Sequence, residues 1–206
     1  MRLVGCLLLA ACTAAPSDDT APAERSVGQC SPMRAGDPAP TELSAVQTLA
    51  DEVQSALFPE LDGASIEVVE LDSETDYFQA NLDIGTVGDP PLERAYRVLA
   101  NPRLFDDPPS QPAVAAILAH ELTHIRDYTE LDGAELVEFG LWYATEDTAA
   151  YERETDEHAL WLGCGDGLID YREWLYAHIP AEAVPDKERS YYTPAEIRAW
   201  QEAHAR

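Results

Sequence analysis

Residues 120–124 read His-Glu-Leu-Thr-His. On an α-helix, two histidines four positions apart sit about 40° from each other on one face, so both imidazoles reach one metal ion. Glu121 projects beside them, close enough to take a proton from a metal-activated water. Imidazole and carboxylate ligands suit zinc, and three of them with one open position make a catalytic rather than a structural site. The chemistry on offer is metal-assisted hydrolysis.

The surroundings agree with that reading. Ile117-Leu118-Ala119 precedes the motif, and the uncharged Leu122 and Thr123 separate its histidines. These residues resemble the HExxH zinc metallopeptidases, the zincin-like enzymes. Metzincins continue the motif to a third histidine through a chain-turning glycine, but here Asp127 stands in place of the glycine and Glu130 in place of the histidine. Gluzincins instead place a glutamate on a second helix, followed by a small residue and often Asp. Glu152-Arg153-Glu154-Thr155-Asp156 fits that pattern. The resemblance implies metal ligands His120, His124 and Glu152, with Glu121 as general base. Thr155 is small enough for two helices to approach, and Asp156 is placed to orient a ligand histidine from behind. Glu146 and Asp147 share the carboxylate-to-small spacing and, with Glu130, stay open as alternative third ligands. The donor that would steady the oxyanion is not singled out. His158 lies about 120° from Glu152 around a helix and points elsewhere, which leaves His178, Tyr191 and Tyr192.

One further motif is a decoy. Residues 166–173 look like the second half of an EF-hand loop, but Leu162 and Cys164 stand where calcium needs oxygen ligands. A glycine turn leading into an acidic helix is the better reading, and calcium is disfavoured.

The elements that must position the site follow from periodicity. Thr41 is an N-cap candidate for a helix with Leu43, Val46, Leu49, Ala50, Val53 and Leu57 on one face. Strand-like stretches follow at Ile66 to Leu71, Tyr77 to Ile84 and Ala95 to Leu99. Pro112 opens the helix that carries the histidines. A turn is expected at Asp132-Gly133. Thr145, with Glu146 and Asp147 in the first turn, signals a helix running to Leu162. Thr193-Pro194-Ala195-Glu196 opens a last helix with a capping box. The expected class is α+β: a short mixed sheet packed on the HExxH helix, a second ligand-bearing helix, and extra C-terminal helices. The resemblance spans roughly Ile66 to Cys164 and implies substrate lying along an edge strand, for which Ala95–Leu99 is the candidate.

Composition narrows the partners. The chain has 206 residues, 39 acidic against 13 basic side chains, and a formal net charge of −26. Such a surface repels a phosphate backbone, which excludes nucleic acid, and it disfavours basic adhesion to anionic lipid. Residues 1–11 read as a signal peptide, its apolar run too short to span a bilayer. Leu9-Ala10-Ala11-Cys12 resembles the lipobox of bacterial lipoproteins, which implies lipidation of Cys12; Leu3-Val4-Gly5-Cys6 fits too but leaves almost no apolar run ahead of it. Thr13 instead of Asp after the lipidated residue implies the outer membrane. Residues 12–40 form a Pro-, Ala- and Ser-rich tether, and 41–206 a single domain. Cys30 and Cys164 then remain as a pair for one disulfide in an oxidising compartment. The expectation is an envelope-tethered zinc metallopeptidase acting on peptide or protein substrates. The alternative is a non-catalytic metal-binding or scaffolding lipoprotein derived from such a fold.

Overall fold

The computed structural model describes residue 30 and residues 38–204. The stretch expected to be a signal peptide, the expected lipidation site Cys12 and most of the expected tether lie outside the described residues. Helix α1 (Leu43–Leu57) buries Val46, Leu49, Ala50, Val53 and Leu57, the stripe that its three- and four-residue spacing requires. Its N-cap is Glu42 rather than Thr41, and no side chain caps it.

Three strands follow: β1 (Ile66–Glu70), β2 (Phe78–Leu82) and β3 (Tyr96–Ala100). They form a mixed sheet in the order β1-β3-β2, with β3 parallel to β1 and antiparallel to β2. The strand expected at the edge is therefore the central one. β3 alternates buried and half-buried residues, with Tyr96, Val98 and Ala100 in the core. The edge facing the cleft belongs to β2. Asn101, buried after β3, donates to the carbonyls of Ser73 (2.7 Å) and Asp76 (3.0 Å) and so sets the loop that leads into β2.

Helix α2 (Gln111–Glu130) crosses behind the sheet with residues 113–125 buried without a break. Ser110 caps its N-terminus and Pro112 lies in its first turn. The buried Arg94 donates to the carbonyls of Tyr128 (3.0 Å) and Leu131 (2.8 Å), satisfying the far end of the helix and answering its dipole. The C-terminal end of the histidine helix is thus tied to the segment that leads into β3.

The stretch after Asp132 is a helix of its own, α3 (Gly133–Thr145), opened by a capping box between Asp132 and Glu135. Thr145 ends this helix and does not begin the next one. The Glu146 backbone N–H closes on Trp142, and α4 (Ala149–Trp161) starts three residues later. The decoy motif lies within α5 (Gly165–His178), as helix rather than loop. Gly167 is there for packing, because a Cβ would stand 2.4 Å from the Pro112 carbonyl oxygen and 2.7 Å from Ala116 Cβ. Only a bare backbone lets α5 press this closely on α2. A short helix α6 (Val184–Ser190) precedes α7 (Pro194–His204), whose Thr193–Glu196 capping box forms as expected.

A Cys30–Cys164 disulfide closes a loop with a sequence separation of 134. Closing so long a loop stabilises by roughly 2–5 kcal/mol. Among the described residues, no helix is long and apolar enough to cross a membrane.

Candidate metal centre

Helices α2 and α4 bring three side chains together: His120, His124 and Glu152, all buried. The Nε2 atoms of the two histidines are 3.2 Å apart, and Glu152 Oε2 lies 3.2 Å from the first and 3.4 Å from the second. Tetrahedral ligands at about 2.0–2.1 Å from zinc stand about 3.3 Å from one another. The three donors therefore form the corners of a triangle that fits one metal ion of that size. Glu146, Asp147 and Glu130 fall outside it. Glu146 caps the C-terminus of α3, and the exposed Asp147 accepts from the Ala149 N–H (3.0 Å) at the start of α4. Glu130 is exposed at the last turn of α2.

Each ligand is held from behind. His120 Nδ1 donates to Asp156 Oδ1 at 2.9 Å, leaving Nε2 for the donor triangle. Asp156 in turn receives Arg172 Nη2 (2.9 Å) and the Tyr192 backbone N–H (2.8 Å), both charge-assisted bonds inside the core. The Tyr151 hydroxyl donates to Asp127 Oδ2 (3.2 Å), so it accepts from His124 Nδ1 (3.0 Å) and fixes that ring in the same sense. Tyr143 donates its hydroxyl to Glu152 Oε1 at 2.5 Å, which turns Oε2 toward the histidines.

The electrostatics follow from burial and these partners. Burial disfavours the His120 imidazolium, yet the hydrogen bonds to Asp156 and Glu152 outweigh it and raise its pKa to about 10. Burial raises Glu152 as well, and the two histidines overcome this, holding its carboxyl far below the usual range. Glu121, 5% exposed, behaves oppositely: burial pushes its carboxyl up despite the two histidines and a backbone hydrogen bond from Ala80. Glu121 is thus separated from the three donors in character as well as position.

All four residues line one cleft of about 430 Å³. Its walls are the edge strand β2 and the inner face of α3, with Tyr128 and Tyr191 between them. Of the oxyanion candidates, only Tyr191 lines this cleft, its ring 5.7 Å from that of His120. His178 stacks on Trp174 and bonds its carbonyl (2.7 Å), and the Tyr192 ring lies under Arg153. His158 points away from the cleft as expected, toward Arg126 at 2.7 Å. Tyr143, Tyr151, Asp127 and Arg172 escaped the sequence reading. Tyr151 adjoins the ligand Glu152 in sequence, but nothing in the sequence marks Arg172.

Compared with protein-family models, with curated proteins and with solved structures, the chain matches none. Its class is defined by the fold and the site themselves: an α+β protein with a buried His-His-Glu group able to hold one metal ion.

Proposed function

We propose that this chain is a zinc-dependent metallopeptidase, a small zincin-like enzyme of the gluzincin type. The observation that carries the reading is the triangle of His120, His124 and Glu152 donors opening on the cleft that also holds Glu121. Three protein donors suit a catalytic ion, since structural zinc is closed by four. A zinc ion bound there supplies Lewis acidity toward a peptide carbonyl and acidifies water.

The chain's own groups do the rest. Glu121 takes a proton from water on its carboxylate and returns it to the leaving amine. Its raised pKa suits that task, because a base poised nearer neutrality both accepts and releases protons readily. Burial and the Glu152 charge keep the Tyr143 hydroxyl protonated. Its one hydrogen is already given to Glu152 Oε1, so its part is to hold that carboxylate in place. The open edge of β2 offers backbone groups to an extended peptide. The disulfide supports an extracytoplasmic setting, in keeping with a lipid anchor at Cys12 in the bacterial envelope.

The test is metal content and hydrolysis of a mixed peptide library, for the native protein and Glu121→Gln. The expected result is one zinc per chain in both, with cleavage by the native protein alone. Stoichiometric zinc without cleavage by either form would replace this reading with the non-catalytic metal-binding one.

A further inference from the structure

Among the described residues seven large hydrophobic side chains are exposed, and six of them stand on α3 or on residues 84–92. The two segments adjoin. A Cβ at Gly133, the first residue of α3, would stand 2.9 Å from the Val87 carbonyl oxygen, and Arg94 bonds the Leu131 carbonyl at 2.8 Å. Of the thirteen residues of α3 only Leu136 is buried. Phe139 and Tyr143 turn with it toward the cleft, while Val137, Leu141 and Ala144, at steps of four and three, share an exposed outer flank. Leu141 is 64% exposed, and Ile84, across the cleft mouth, 71%. Apolar residues scattered singly over a surface need no explanation, but a gathering of them marks an interface.

The charge around this surface limits what it can meet. Residues 83–93 and 132–147 hold eight carboxylates and no Lys, Arg or His. Arg97 answers Asp83 at 3.0 Å and Arg189 reaches Asp147 at 3.8 Å, so the rim as a whole stays acidic. Glu138 stands exposed beside Val137 on α3 itself. A second copy of the chain would set the same carboxylates against these, and an anionic membrane would repel them. Charge complementarity belongs to a partner that carries Lys or Arg around an apolar centre.

We propose that the outer flank of α3, together with residues 84–92, docks an amphipathic segment of another protein, apolar along one face and basic at its edges. Burial of Val137 and Leu141 supplies affinity, and basic side chains on the acidic rim set orientation and speed the encounter. An apolar helix flank is the counterpart that such a segment recognises. His120, Glu121, His124 and Glu152 take no part in this surface, so the proposal stands independently of the peptidase reading.

The experiment titrates the full chain into a fluorescein-labelled helical peptide of leucine and lysine with one apolar face, and into a peptide of the same composition with that face scrambled. The patterned peptide is expected to bind the native protein about tenfold or more tightly than the scrambled one. Val137→Ser with Leu141→Ser removes that preference. Glu138→Gln with Glu146→Gln weakens the binding and flattens its dependence on salt. Glu52→Gln with Glu60→Gln, exposed elsewhere on the surface, leaves both in place. Urea midpoints close to that of the native protein verify each fold. A native protein that binds the two peptides alike, or a serine pair that keeps the preference, overturns the proposal. It is also overturned by self-association in sedimentation velocity that the serine pair abolishes, which gives the face to a second copy. Binding to phosphatidylcholine vesicles that the same pair abolishes gives it to lipid and overturns it equally.

Discussion

Asp156 receives the Nδ1 hydrogen of His120 at 2.9 Å and is itself clasped by the fully buried Arg172. A histidine of the candidate metal centre on α2 is therefore oriented by a carboxylate on α4 whose charge is balanced from α5. Ligand geometry and core stability share one set of bonds.

Asp156→Ala should separate these two roles. Metal affinity is expected to fall about 10–100-fold, because the ring of His120 loses its orienting partner. The metal-free protein should lose roughly 3–5 kcal/mol, because Arg172 is left buried without a counter-charge. In the double variant Asp156→Leu with Arg172→Met, much of the stability should return while the metal affinity stays low. Urea unfolding and competitive zinc titration read the two quantities.

Glu152→Ala should abolish stoichiometric zinc binding, measured as metal per chain after dialysis. Glu146→Ala and Asp147→Ala should bind zinc as the native protein does, since both residues lie in the connection before α4. Loss of zinc in Asp147→Ala would move the third ligand.

Two glycines make opposite predictions. Gly167→Ala forces a methyl against the Pro112 carbonyl and should destabilise by about 1–3 kcal/mol. Gly140→Ala meets open space inside a helix and should stabilise by about 0.5–1 kcal/mol. Denaturant midpoints at constant m-value distinguish them.

Acid sensitivity should have a contribution from Asp76. Burial raises its carboxyl, but the ion pair with Lys187 and hydrogen bonds from Ser73 and Thr75 carry it below its ordinary 3.8. A depressed folded pKa means that this stability is fully present above the unfolded value and is lost as pH falls through the folded one. Lys187→Met should therefore be less stable than the native protein by a constant amount above about pH 5. The difference should close as the pH drops below about 4. Unfolding free energies measured across that range test the sign.

Much of this was legible in the residues because it is local. His120, Glu121 and His124 share one helix, so a spacing of four already places two imidazoles together. The Thr193–Glu196 box and the apolar stripe of α1 are likewise short-range patterns, and both formed. Helix α3 was missed because its apolar residues do not gather into one stripe. Leu136 and Phe139 turn inward, while Val137, Leu141 and Trp142 remain exposed. Taking Thr145 as a helix start followed from that omission, since an acidic pair after threonine looks the same after one helix as before the next.

The sequence alone determined the chemistry of the site: two imidazoles and a base on one helix face, a carboxylate-small-Asp pattern downstream, and a cysteine pair. Its charge of −26 also argues against a nucleic-acid partner. Only the tertiary structure decided which carboxylate completes the triangle, because Glu152 lies 32 positions from His120 and joins it through helix packing. The same holds for the strand that borders the cleft. Inserting β3 between β1 and β2 is a matter of long-range pairing, and no local pattern encodes it. Arg172 reaches Asp156 only because Gly167 lets α5 lie against α2. Local periodicity sets which atoms share a helix face, whereas the meeting of separate faces depends on how the whole core closes.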